Sequence, residues 1–267
     1  MNEKPIGIFD SGIGGLTVLK EIIHELPHEN TIYLGDTARV PYGIRSPETV
    51  IRYTNENTQF LFSKDIKLLV VACNTASSIS LETIKEKTSM PVIGVLDPGA
   101  RAAVAATKNK RVGIIGTEAT INSSSYTKAI KSIDEEIETY TQACPLFVPL
   151  VEEGWTDGTI TKAIAEIYLQ GLLEKSIDTI VLGCTHYPLL KQVIADVMGK
   201  RVTLIDSAVE TSSVVKNVLR SGELLREPKK APERKFFVTD SPERFLHVGE
   251  RFLGQNMTHI EKIVIGN

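Results

Sequence analysis

Nine short runs rich in Ile, Val and Leu punctuate this chain, and a longer amphipathic stretch follows each of them. The runs are Ile6–Asp10, Thr31–Asp36, Leu68–Cys73, Pro91–Leu96, Arg111–Gly116, Ile137–Gln142, Thr179–Cys184, Val202–Asp206 and Phe236–Thr239. They lack the apolar–polar alternation of a half-exposed strand and read as strands covered on both faces. The stretches between them, Gly15–Leu26, Pro47–Ser63, Thr75–Lys87, Pro98–Lys108, Ala119–Ser132, Thr159–Lys175, Pro188–Met198, Ala208–Ser221 and Pro242–Leu253, carry helical patterning. Strand–helix alternation of this kind predicts α/β architecture with open, mostly parallel sheets. A last apolar run, Ile260–Ile265, is a candidate terminal strand.

The pattern also repeats. IGIFDS (6–11) is echoed by VGIIGT (112–117), LLVVACNT (68–75) by DTIVLGCTH (178–186), and VIGVLD (92–97) by TLIDS (203–207). The offsets, 106, 111 and 109 residues, are nearly constant. With 267 residues, the chain has room for two domains of ~100–150 residues each. The expectation is therefore two pseudo-symmetric α/β domains, 1–97 plus 207–267 and 98–206. The segment REPKKAPERK (226–235), basic and broken by two prolines, reads as a solvated loop.

Charge and composition exclude several classes. A net charge of −3 provides no basic field, so nucleic acid is not an expected partner. No apolar run reaches the ~18 residues of a membrane span. The opening MNEKPIGIFD lacks the apolar region and cleavage site of a signal peptide, so a cytoplasmic protein is expected. The three cysteines, Cys73, Cys144 and Cys184, are no disulfide framework. Cys144, in TQACPLF, reads as a small packing residue.

In open parallel sheets, ligands bind beyond the carboxyl ends of the strands. The polar residues there are Asp10-Ser11, Asp36-Thr37, Cys73-Asn74-Thr75, Thr117 and Cys184-Thr185-His186. DSGIGG (10–15) leads from a strand into a helix and is equally a tight turn or an anion cradle. It is a poor dinucleotide fingerprint, because Thr17 stands at the third glycine position.

Cys73 and Cys184 each end a strand before a helix, where a thiol is expected to have a lowered pKa. Four readings stay open: two structural cysteines, a redox pair without Cys-x-x-Cys, a metal site without ligand-spaced clusters, and two acid/base groups facing across a cleft. The last has a physical logic. Inverting a stereocentre needs a base on one face and an acid on the other, and two like domains supply one thiol each.

In FDSGIGGLTV, YLGDTARVPYG, ACNTAS, VPLVEEG and LGCTHYPLL, taken in order over nearly the whole chain, the sequence resembles the glutamate racemase family. The resemblance implies two α/β domains with the active site in the cleft between them, and a cofactor-independent isomerase, without pyridoxal phosphate, that interconverts L- and D-glutamate for peptidoglycan synthesis. It implies that Cys73 takes the α-proton from the D enantiomer and Cys184 from the L enantiomer, assisted by Asp10 and His186. Substrate contacts are implied for Asp10, Ser11, Tyr42, Gly43, Asn74, Thr75, Thr117, Thr185 and His186, with Asp36 and Glu152 at auxiliary positions. None of these is Arg, so carboxylate binding falls to neutral donors and backbone N–H groups.

Family members often form homodimers, and a homodimer is expected here. Some carry an N-terminal extension linked to activation by a muramyl-nucleotide precursor; four residues precede Pro5, and that activation is not expected. Related aspartate racemases typically read Gly-Cys-Thr-Glu after the second cysteine, whereas Gly183-Cys184-Thr185-His186 favours the glutamate enzyme. A racemase of another acidic amino acid, or a non-catalytic amino-acid- or nucleotide-binding regulator with inert cysteines, are the alternatives.

Overall fold

The structure, a computed structural model, describes residues 2–266. Residues 1 and 267, the ends of the expected first domain, lie outside it. Each strand but the last is followed by a helix, as the patterning predicts. In chain order the elements are β1 (Ile6–Asp10), α1 (Leu16–Glu25), β2 (Thr31–Gly35), α2 (Pro47–Ser63), β3 (Leu68–Val71), α3 (Asn74–Lys85), β4 (Val92–Gly94) and α4 (Leu96–Ala106). There follow β5 (Arg111–Gly116), α5 (Glu118–Asn122), α6 (Ser125–Ile133), β6 (Glu138–Ala143), α7 (Phe147–Glu152), α8 (Gly158–Glu174), β7 (Thr179–Gly183) and α9 (Lys191–Met198). The chain ends with β8 (Thr203–Asp206), α10 (Ser207–Ser221), β9 (Arg234–Val238), α11 (Pro242–Leu253) and β10 (Ile260–Lys262).

Among the described residues the strands form two wholly parallel sheets, in the orders β10-β9-β2-β1-β3-β4 and β6-β5-β7-β8. The order β2-β1-β3-β4 recurs as β6-β5-β7-β8, so the weak sequence repeat is a repeat of topology. The chain crosses between the sheets twice, through α4 and α10, which pack against each other. The central strands β1, β3 and β7 are buried throughout, as expected where helices cover both faces. The edge strand β6, ETYTQA, is half-exposed and accordingly polar.

Local chemistry explains where the elements depart from the patterning. The helix expected over Ala119–Ser132 is two helices, α5 and α6, because Ser124 takes a left-handed conformation (φ 55°) between them. Three successive serines lie there, and Ser123 Oγ accepts from the Ser125 N–H at 3.2 Å, so side-chain bonding competes with the helix. The short α7 was not among the expected helices. Pro149 falls in its first turn, where no N–H is required. Both strand-end cysteines lie just past their strands, and Cys73 is the N-cap residue of α3.

The basic 226–235 segment is not wholly solvated. Arg226 is buried, donating from Nε to Glu3 Oε2 (2.8 Å) and from Nη1 to the His28 and Lys230 carbonyls (2.8 and 3.0 Å). Next to it, buried Lys67 donates to Glu29 Oε2 (2.5 Å) and to the Asn2 and Leu224 carbonyls (2.8 Å each). Removing one partner of a buried ion pair leaves an uncompensated charge, so Lys67→Met is expected to destabilise the fold by about 3–5 kcal/mol. A fall in the urea midpoint checks this, and the double variant E29L/K67M is expected to recover part of the loss.

Candidate active site

β1 delivers Asp10 at its carboxyl end, fully buried, where Oδ2 accepts from the Gly12 N–H at 3.0 Å. The glycines that follow are there for close approach, not for an unusual backbone, since none of Gly12, Gly14 and Gly15 has positive φ. A Cβ on Gly14 would stand 2.3 Å from Thr185 Oγ1 and 2.4 Å from His186 Nδ1, and one on Gly15 would stand 2.5 Å from Asp10 Cβ. The glycine turn is thus the bed on which the Cys184–His186 loop of the other sheet lies. Two bonds bind the loop down: Thr17 Oγ1 donates to the Thr185 carbonyl at 2.9 Å, and Thr185 Oγ1 to Asp10 Oδ1 at 3.4 Å.

Cys73 lies beside Ser11, with Sγ 3.6 Å from its Oγ. Two residues on, Thr75 Oγ1 meets Thr117 Oγ1 at 3.0 Å and Thr120 Oγ1 at 3.1 Å, joining the end of β3 to that of β5. Gly43 fits the same close contact, since a Cβ there would stand 2.6 Å from Thr117 Cβ. The Tyr126 hydroxyl, on α6, donates to Asn74 Oδ1 at 2.6 Å, while Asn74 Nδ2 is buried without a protein partner. On the other side Cys184 Sγ is 3.9 Å from His186 Nδ1, and His186 Nε2 is 3.2 Å from Glu152 Oε1 on α7. The structure therefore gathers Asp10, Ser11, Gly43, Cys73, Asn74, Thr75, Thr117, Glu152, Cys184, Thr185 and His186 at facing strand ends.

Burial sets the electrostatics. It pushes the Cys73 thiol up to about 12, with the Asp10 carboxylate adding to the rise. This reverses the lowering expected from a helix N-terminus, because desolvation of the thiolate outweighs the helix's N–H groups. Burial also raises Asp10, against the pull of His186. Burial alone would lower His186, but the Cys184 sulfur and the Glu152 carboxylate overcome it and hold the imidazolium up to about 10. Burial would raise Glu152; His186 and Arg244 outweigh it and keep the carboxyl low.

A histidine raised above its ordinary 6.5 adds stability that is complete below that pH and is lost as pH climbs toward about 10. The stability advantage of the unaltered protein over H186Q is accordingly expected to shrink between pH 7 and 10. Urea midpoints taken across that range check it, and a constant gap would contradict the assignment.

Two expected site residues take other work with their side chains. Asp36 is fully buried and accepts from Arg39 Nε (2.7 Å), Thr239 Oγ1 (2.9 Å), Asn57 Nδ2 (3.3 Å) and the Tyr42 hydroxyl. The Tyr42 hydroxyl is spent on Asp36 and also accepts from Asn57 Nδ2 at 2.8 Å. Both side chains therefore hold the loop that carries Gly43. Cys144 is a buried packing residue, its thiol 3.7 Å from the Gln142 carbonyl.

Sequence reasoning missed Thr17, Thr120 and Tyr126. Thr120 had a signal, its spacing three residues after Thr117 at a helix start; the other two had none. A cavity of about 650 Å³ bounded by Pro232–Phe236 and Gln255–His259 lies at the amino ends of β9 and β10, the opposite end of the sheet from this chemistry.

Two like α/β units, with two thiols and hydroxyl, amide and carboxylate groups gathered between their strand ends, define the class of two-unit α/β racemases. The chain belongs to the Asp/Glu/hydantoin racemase family, whose model matches residues 7–212. It is 58% identical to a glutamate racemase of Geobacter metallireducens, over 97% of this chain and 96% of that one. Its fold matches the crystal structure of the Francisella tularensis glutamate racemase in complex with D-glutamate, with a TM-score of 0.93, 40% identity and 98% of each chain covered. It likewise matches a glutamate racemase isoform of Bacillus anthracis, with a TM-score of 0.95, 41% identity and 98% of each chain covered.

Proposed function

We propose that this chain interconverts L- and D-glutamate without a cofactor, by two-base proton transfer at Cα between Cys73 and Cys184. The observation that carries the reading is the equivalent placement of the two thiols. Each follows the third strand of its unit, and the two units face each other through the Thr185–Asp10 and Thr75–Thr117 contacts. A thiolate on one face takes the α-proton, the thiol on the other returns one to the opposite face, and each turnover exchanges their protonation states.

From D-glutamate, Cys73 is the base and Cys184 the acid; from L-glutamate the roles reverse. Protonated at rest, Cys73 is ready as an acid. To act as a base it needs relief from the Asp10 charge that raises it. The substrate ammonium set against Asp10 supplies that relief, because an opposite charge cancels the repulsion of a developing thiolate. The His186 imidazolium, paired with Glu152, does the same work for Cys184. Ser11, Asn74, Thr75, Thr117 and Thr185, with the Gly43 backbone, present donors for the two carboxylates. Asp10, Cys73, Cys184 and His186 are at most 6% exposed, so the units part to admit substrate.

On the same reading the domains are 1–97 plus 207–267 and 98–206, the chain works as a cytoplasmic homodimer, and its D-glutamate supplies peptidoglycan synthesis. These points rest on the family pattern. The deciding experiment is incubation with L-glutamate in D₂O without added cofactor, following circular dichroism and the α-proton NMR signal together. Decay of both is expected. Constancy of both, from either enantiomer, would sink the reading.

A further inference from the structure

We propose that Tyr126 is a positioning residue for substrate, fixing the Asn74 carboxamide so that its Nδ2 faces the cleft as a donor to a substrate carboxylate. The inference rests on the reading of the site given above. Tyr126 sits on α6 and packs with Val112, Ile114 and Val181 of the four-stranded sheet, whereas Asn74 opens α3, which packs on the six-stranded one. The bond between them, at 2.6 Å with both residues at most 3% exposed, therefore runs from one unit to the other.

A carboxamide has an acceptor end and a donor end, and an isolated one is free to turn either toward the cleft. The buried Tyr126 phenol keeps its proton and gives it to Oδ1. That turns the two N–H groups of Nδ2 the other way, where they are buried with no partner in the protein. Buried donors are nearly always satisfied, so an unsatisfied amide on the residue between Cys73 and Thr75 points to a ligand acceptor. A carboxylate meets that need, and a charged acceptor makes the stronger bond.

The placement has a consequence for assembly. Parting the two units breaks the Tyr126–Asn74 bond, so the amide is set only on closure. A neighbouring cross-unit bond, from Ser125 Oγ to the Ser78 carbonyl at 2.8 Å, holds α6 against α3 beside it. Ser125 keeps the helices together, while Tyr126 alone reaches the amide that faces the cleft.

Steady-state kinetics of Y126F, N74A and the double variant Y126F/N74A, with L- and D-glutamate, test the assignment. Loss of the donor is expected to raise KM about tenfold in both directions while kcat falls by less than about threefold, since substrate binding and not proton transfer is affected. In the N74A background the Tyr126 change is expected to have no further effect, which a general packing role would not produce. N74D keeps the acceptor for Tyr126 but sets a negative oxygen against the carboxylate, so it is expected to bind substrate more weakly than N74A.

An unchanged KM in Y126F, effects that multiply in the double variant, or tighter binding by N74D would each overturn the assignment while leaving racemisation intact. Absence of glutamate turnover by the unaltered chain would overturn the functional reading and this inference with it.

Discussion

Cys73→Ala is expected to lower kcat/KM about 10²–10⁴-fold, the range by which a positioned acid or base accelerates proton transfer. The loss must be equal in both directions. L- and D-glutamate have the same free energy in water, so the ratio of the two kcat/KM values is fixed at one for any variant. A one-directional loss would therefore indicate an assay fault or a different reaction. The asymmetry appears instead in isotope exchange. C73A keeps Cys184, which on the present reading removes the α-proton of the L enantiomer and can return a solvent-derived one to the same face. In D₂O it is expected to wash deuterium into L-glutamate faster than into D-glutamate, and C184A to do the reverse. Equal wash-in of both enantiomers, or turnover of C73A near the unaltered rate, would remove the two-thiol assignment.

Gly14→Ala is expected to lower turnover about 10²-fold in a protein that still folds, because a displacement of ~1 Å at a reacting group costs that much. The added methyl would stand 2.3 Å from Thr185 Oγ1 and 2.4 Å from His186 Nδ1, so the loop carrying Cys184 must shift. Thr185 and His186 are buried, and Thr17 and Asp10 bond the loop from below, leaving it little room to yield without losing its geometry. Overpacking of this kind costs about 1–3 kcal/mol of stability, and thermal unfolding with circular dichroism separates that from the catalytic loss. Gly171→Ala is the control. It lies inside α8 with nothing within 4 Å of a Cβ, so activity is expected to be unchanged and the helix steadier by about 0.5–1 kcal/mol. Full activity in G14A would mean that the glycine turn does not position the loop that carries Cys184.

Much of this molecule is legible along the chain because its signals are local. A parallel strand covered on both faces must be apolar throughout, so LLVV and TIVLG announce themselves, and the residues after them fall at the ligand-binding edge without further argument. The resemblance of the motif series then named the racemase family, which the family match and the relatives show. Less legible were features set by competing local bonds, such as the serines that divide α5 from α6.

Least legible was the work of individual polar groups. DSGIGG showed its glycines along the chain, but not the neighbour on the far side of the turn that packs against them. Asp36 and Tyr42 sit in motifs that suggest the site, yet their side chains face Arg39, Asn57 and Thr239, positions 3 to 203 residues from Asp36 in the chain.

The sequence by itself determined the α/β alternation, the repeated strand–cysteine–helix unit and the strand ends at which chemistry would gather. Backbone patterning and hydrophobic burial act over a few residues, and a few residues suffice to read them. The tertiary structure alone decided that Cys73 is held as a thiol, that His186 is held as an imidazolium between Cys184 and Glu152, and that Tyr126 reaches across to turn the Asn74 amide. Charge and hydrogen bonding depend on which groups burial brings within a few ångströms, and here those groups come from opposite units of the chain.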